Sequence, residues 1–216
     1  MMFPKPEANS RIIEVLQRIG SAIVLIPIVI GAIVFGGIYF NSLMFLALLL
    51  MLIEWTKISY KKKTLFISGI IYIVGAMLFW WLNTNIQHLL LFVLPLVWAI
   101  DVSAYIGGSL LGGPKLAPKI SPKKTWSGAI IGFLTALFTY FMYIKTFRWI
   151  PTYTNFFVTV LCAILAILGD LLESKVKRIF GVKDSGSLIP GHGGVLDRLD
   201  SFLAVTWGLI ILSMLK

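Results

Sequence analysis

Between Gly169 and Ser201 lie five of the chain's nine acidic residues, five of its nineteen basic ones and one of its two histidines. The stretch reads G-D-L-L-E-S-K-V-K-R-I-F-G-V-K-D-S-G-S-L-I-P-G-H-G-G-V-L-D-R-L-D-S, with a long apolar run on either side. If 165–178 is helical, Asp170, Glu173, Ser174 and Lys177 fall along one stripe. Asp197, Asp200 and Ser201 do the same at the head of the next helix. Two acidic stripes joined by a glycine-rich loop can converge on one metal ion. Carboxylate and hydroxyl oxygens suit Mg²⁺ rather than zinc, which prefers His and Cys. The interleaved Lys175, Lys177, Arg178, Lys183 and Arg198 would repel a bare divalent ion but suit one that arrives with phosphates attached. Acid for metal and base for phosphate is what phosphoryl or nucleotidyl transfer requires. The plainer alternative is a structural network of ion pairs. His192, in P-G-H-G-G, could bind phosphate, act as acid or base, or cap the loop, since the glycines around it allow close approach of a ligand.

Two further polar islands stand apart from the apolar background. In W-A-I-D-V-S-A-Y-I-G-G, residues 98–108, Asp101, Tyr105 and Gly108 share a helix face by spacing. An ionised Asp inside a membrane helix costs about 2.5–3.5 kcal/mol, so Asp101 should face a cavity or a cation; capping a broken half-helix is its plainer use. In K-L-A-P-K-I-S-P-K-K-T-W-S-G, residues 115–128, Pro118 and Pro122 discourage helix. Ser121 and Thr125 can cap the helix that follows or donate to a ligand. Lys123, Lys124 and Thr125 at a helix N-terminus suit a triphosphate or a lipid phosphate. A basic loop that only sets topology is the alternative.

The elements that must position these islands are membrane helices. The chain has 216 residues, of which 58% are hydrophobic and 13% charged, and its mean hydropathy is +0.93. Soluble domains carry roughly 25% charged residues, and apolar runs of about 20 residues mark membrane spans. The fold class is therefore an all-α polytopic membrane protein of about seven spans, near 19–36, 41–56, 65–82, 88–110, 127–144, 154–172 and 199–215. The second span is short and the fourth holds Pro95, so either could be tilted or broken. Three cations (Lys145, Arg148 and Lys216) fall on one side and sixteen on the other. The richer side, with the N-terminus, is cytoplasmic. The net charge of +10 follows from that rule and does not call for nucleic acid. All three islands lie at cytoplasmic ends of spans. Cys162 is alone, which excludes an intramolecular disulfide or a cysteine metal cluster. The first apolar run is too long for the core of a cleavable signal peptide. The expected organisation is an N-terminal bundle, 1–82, peripheral to a catalytic domain, 83–216, with active-site loops 111–126 and 173–198.

Ser174 to Asp200 resembles the signature of the phosphatidate cytidylyltransferases, with S-x-x-K-R, K-D-x-G, P-G-H-G-G and D-R-x-D in order and spacing. S-P-K-K-T-W-S-G at 121–128 is similar to that family's S-P-K-K-T-W-E-G, with Ser127 at the Glu position. W-A-I-D-V-S-A-Y at 98–105 matches its W-x-x-D-x-x-A-Y segment. The resemblance covers roughly 88–216. It implies a nucleotidyltransferase that joins phosphatidic acid to CTP, giving CDP-diacylglycerol and pyrophosphate with Mg²⁺, and a second cation is a further candidate. It implies Asp170 and Asp197 as the principal metal ligands, with Glu173 and Asp200 binding or supporting the same ion. Lys123, Lys124, Lys175, Arg178, Lys183 and Arg198 would neutralise substrate phosphates, alongside Ser121, Thr125, Ser174, Lys177 and Asp101. Partners are then CTP, phosphatidic acid and the bilayer, with a second copy of the chain as a candidate. The location is the inner membrane of a bacterium, active site towards the cytoplasm. A cation-coupled transporter would explain Asp101 and Asp170 but not three basic islands on one side, nor the absence of repeated halves. A CTP-dependent enzyme acting on an ether lipid or a polyprenol is the nearer rival.

Overall fold

A backbone in hydrocarbon must satisfy its own N–H and C=O groups, so apolar runs of this length fold as helices. The computed structural model describes residues 8–83, 87–148, 152–189 and 193–215. Among them are seven helices: α1 (Ala8–Phe35), α2 (Gly37–Ser59), α3 (Lys63–Leu82), α4 (Gln87–Leu111), α5 (Trp126–Phe147), α6 (Tyr153–Ile179) and α7 (Leu196–Met214). Each expected span overlies one of these helices. Helices α2 to α6 are long and apolar enough to cross a membrane; in α1 the apolar part is Ile19–Phe35. The helix faces turned away from the core are apolar too, with Ile23, Phe45, Ile71, Phe138 and Phe157 exposed. That much bare hydrocarbon is a liability in water and the natural surface in lipid. The chain is a mostly helical integral membrane protein. The fourth span is not broken: α4 runs unbroken through Pro95.

Close helix contacts are made where side chains are small. Helix α4 packs most extensively on α5. A Cβ on Gly128 of α5 would lie 2.5 Å from the Ala104 carbonyl oxygen of α4. Where α6 meets α7, Gly169 faces Ala204 with no room for a side chain. Helix α3 is stitched to α7 by tryptophans. Trp80 Nε1 donates to Thr206 Oγ1 at 2.8 Å while its ring stacks on Phe202, and Trp207 stacks on Tyr72 and donates to its carbonyl at 2.9 Å. A buried indole N–H needs such a partner, so each ring fixes register as well as filling space. The core between them includes Met51, Ile73, Phe92, Leu96, Ile100 and Leu203.

The 111–126 loop holds a short antiparallel hairpin, β1 (Lys115–Ala117) and β2 (Ser121–Thr125), with Lys115 opposite Thr125 and Ala117 opposite Ser121. The sequence reading had only an irregular loop here. Two prolines keep the segment out of the helical region, and an extended pair is what remains open to it. β2 runs straight into α5, so the strand that carries Lys123 and Lys124 is aimed by the helix behind it.

Candidate active site

The C-terminal halves of α4 and α6 and the first turns of α7 bring four carboxylates together. Asp101 of α4 accepts a hydrogen bond from Ser201 Oγ of α7 at 3.2 Å. Asp200, buried one residue earlier, accepts from the Ser201 backbone N–H at 2.7 Å and lies within hydrogen-bonding reach of the Glu173 carboxyl of α6. The charges of Asp101, Asp170 and Asp200 act on one another at this range. The expected stripe along α6 is present, but the α4 face is not shared as its spacing suggested. Asp101 turns inward whereas Tyr105 is 70% exposed.

Two ammonium groups stand among these acids. Lys124, from β2, pairs with Asp170. Lys177 lies 2.7 Å from Glu173 Oε2 and 2.8 Å from Asp197 Oδ1, bridging α6 to α7. Neither oxygen of Glu173 has a well-aligned hydrogen-bond donor, and the four carboxylates outnumber the two lysines set among them. As the side chains stand, no three acids, histidines or cysteines among the described residues close on one point tightly enough to grip an ion. The fit to Mg²⁺ lies in the donor chemistry: the acidic groups offer oxygen only, and Lys177 already holds a positive charge between the two stripes.

Asp197 has a fuller set of partners than the sequence suggested. Besides Lys177, it accepts from the Ser185 N–H at 3.0 Å and 2.9 Å to its two oxygens, and from Gly194 N–H at 2.9 Å. It stands in the first turn of α7, ahead of the apolar stretch. Burial works to raise its carboxyl, but Lys177 and the N–H donors outweigh that and hold it below the ordinary aspartate range. Asp197 therefore ties Ser185 and Gly194 to the head of α7, and the carboxyl that faces Glu173 is Asp200.

The other basic candidates lie at the surface. Lys123, Lys175, Lys183 and Arg198 are exposed, as is Arg178, whose Nη1 donates to the Val182 carbonyl at 3.2 Å. Ser121 and Ser174 are half-buried. Thr125 is buried and caps α5, accepting from Gly128 N–H at 3.2 Å. Its hydroxyl also lies 2.9 Å from that of Ser127, which donates to the Gly112 carbonyl. Of the two uses open to Thr125, the structure shows the cap. His192 lies outside the described residues.

A cavity of about 250 Å³ opens beside the acids, lined by Glu173, Asp200 and Tyr72 and by Trp55, Leu65 and Leu203 among others. The sequence reading passed over Glu54 of α2, which is 1% exposed and reaches the head of α7. Its signal was available: it and Asp101 are the acids that interrupt the first five apolar runs.

The family model that matches this chain is the cytidylyltransferase family, over residues 64–215. A phosphatidate cytidylyltransferase of Rickettsia bellii is 41% identical over 196 residues, which is 86% of this chain and 85% of the relative. One from Rickettsia conorii is 37% identical over 209 residues, 92% of this chain and 90% of the relative. A third, from Brucella melitensis, is 50% identical over 118 residues, covering 53% of this chain and 43% of that protein. The acids, the lysines set among them and these likenesses agree: the chain belongs to the cytidylyltransferase family and is a nucleotidyltransferase.

Proposed function

We propose that the chain transfers CMP from CTP to phosphatidic acid, releasing CDP-diacylglycerol and pyrophosphate, as the names of its relatives indicate for them. The observation that carries this reading is the convergence of Asp101, Asp170, Glu173 and Asp200 with Lys124 and Lys177 at one end of three helices. By the excess of cations on their side, that end, the N-terminus and the 111–126 and 173–198 loops are cytoplasmic, with seven helices crossing the inner membrane of a bacterium.

A phosphatidate oxygen attacks the α-phosphorus of CTP. A new P–O bond forms on one side, and on the other the bond to the bridging oxygen breaks, so that pyrophosphate leaves in line. A phosphate dianion is already nucleophilic, so no protein base is needed and His192 is not required as one. The reaction drives two anions together, and Lys123, Lys124, Lys175, Arg178, Lys183 and Arg198 offset that repulsion. A donor fixed where charge develops, in a site closed to water, can contribute about 3–4 kcal/mol to the transition state. Mg²⁺, when bound, supplies further neutralisation of the triphosphate; Asp170, Asp197, Glu173 and Asp200 would hold it. Lys177 meanwhile fixes the α6 and α7 acids at a constant separation. The mostly apolar cavity beside Glu173 and Asp200 suits hydrocarbon, so an acyl chain is the part of the lipid that fits it.

The test is CMP transfer by purified protein from labelled CTP with Mg²⁺, offering phosphatidate, an ether-lipid phosphate or a polyprenol in parallel. Label in phosphatidate alone, or most strongly there, is the expected outcome. Label in no lipid would end the transferase reading, and preference for another acceptor would replace the substrate.

A further inference from the structure

The family match begins at residue 64, yet the most deeply buried carboxylate touching the signature loop comes from before it. Glu54 Oε1 accepts from the Val195 N–H at 3.0 Å; Oε2 accepts from the Leu196 N–H at 2.8 Å and from Ser185 Oγ at 3.1 Å. Leu196 opens α7 and Val195 precedes it, and the Val195 side chain cannot cap a helix. The first N–H groups of a helix need acceptors, and here they are met by an acid from a helix more than a hundred residues earlier.

The loop is built around this acid. A Cβ on Gly186 would stand 2.6 Å from Glu54 Oε1, and one on Gly194 would stand 2.5 Å from Oε2. Gly186 belongs to the K-D-S-G element and Gly194 to P-G-H-G-G. Two of the signature's glycines thus leave space for a carboxylate that lies outside the signature. Glu54 and Asp197 hold alternate groups of the same loop: Glu54 takes Ser185 Oγ and the N–H groups of 195 and 196, and Asp197 takes the N–H groups of 185 and 194. Asp197 in turn pairs with Lys177, and Lys177 with Glu173. Displacement of the loop is therefore passed to the acid cluster through two ion pairs.

We propose that Glu54 is a positioning residue of the transferase site, an acid from α2 that fixes Ser185 and Gly186 against Gly194, Val195 and Leu196 and with them the places of Lys183, Asp197 and the Lys177 bridge. This rests on the transferase reading above. Gln at 54 cannot substitute, because its amide nitrogen would face either the Val195 or the Leu196 N–H, donor against donor. Asp at 54 is one methylene short, so it reaches fewer of the three donors.

The experiment compares the full-length chain with E54Q and E54D in detergent, well below their melting temperatures. It measures kcat, KM for CTP and hydrogen exchange in a peptide spanning 185–200. Misplacement by about an ångström costs on the order of 10²-fold in rate. The expected result is a kcat lower by roughly that factor in E54Q and partly restored in E54D, with KM for CTP within about threefold. Exchange at 195 and 196 should quicken at least roughly tenfold. A purely structural acid would lower the melting temperature and leave kcat per folded molecule and loop exchange untouched; that result overturns the proposal. If E54Q does not fold, S185A decides in its place: it removes one of the three donors, and unaltered kcat together with unaltered exchange would sink the idea. Failure of the unaltered chain to transfer CMP would remove the transferase reading, while the exchange measurement would still show whether Glu54 sets the loop.

Discussion

Lys177 offers the sharpest test of how the acids are held. Its ammonium stands 2.7 Å from Glu173 and 2.8 Å from Asp197, and its side chain is 13% exposed. Met is of similar length without the charge. Removing one partner of a buried ion pair costs about 3–5 kcal/mol, because the other charge stays buried. Asp197 keeps its N–H contacts from Ser185 and Gly194, which softens the loss on that side. Glu173 has no aligned donor in reserve and carries most of it. The lower end, about 3 kcal/mol, is therefore expected. For a chain of this size each kcal/mol moves the melting temperature by about 2–4 °C, so K177M should melt roughly 6–12 °C lower in detergent, followed by tryptophan fluorescence. Millimolar Mg²⁺ should raise K177M by more than it raises the unaltered protein, since the acids are then short of a cation. The double variant K177M/E173Q should melt close to E173Q alone, because the stranded charge is gone. A loss under about 2 °C, or a double variant that simply adds the two losses, would refute the account of Lys177 as the bridge.

The remaining expectations separate chemistry from folding. K124M removes an ion pair that is partly exposed, so it should shift stability by less than about 1 kcal/mol while CMP transfer falls at least tenfold; equal loss of both would make Lys124 structural. G128A should cost about 1–3 kcal/mol by forcing α4 and α5 apart, read as a lower melting temperature with activity per folded molecule retained. Chelation with EDTA should abolish transfer, and Mg²⁺ should restore it; transfer that persists in EDTA would rule out the metal-assisted reading.

The helices could be read from the chain because hydrocarbon leaves a backbone few options. The α6 acids were legible for the same reason: once 165–178 is helical, the places of Asp170, Glu173 and Lys177 follow from the period. What periodicity cannot supply is the partner. Asp197 and Asp200 look equivalent in D-R-L-D, yet Asp197 turns to the loop and Asp200 to Glu173, a choice made by the neighbours on each side. Asp101 and Tyr105 are one turn apart, but four residues rotate about 40° beyond a full turn, and Tyr105 faces outward. Glu54 was missed because its role depends on contacts 141 and 142 residues away. The hairpin escaped notice because Lys, Pro and Ser carry little strand preference.

Glu54 also sets an order of assembly. At roughly 5–20 residues per second of synthesis, about 7–30 s separate its emergence from that of Leu196. For that interval α2 carries an acid whose partners do not yet exist, and α6 carries acids whose bridge to α7 is missing. The site is completed only when the last helix docks: a chain cut short before then keeps the residues of the Lys124–Asp170 and Lys177–Glu173 pairs but lacks Asp197, Asp200 and every contact of Glu54 with the head of α7.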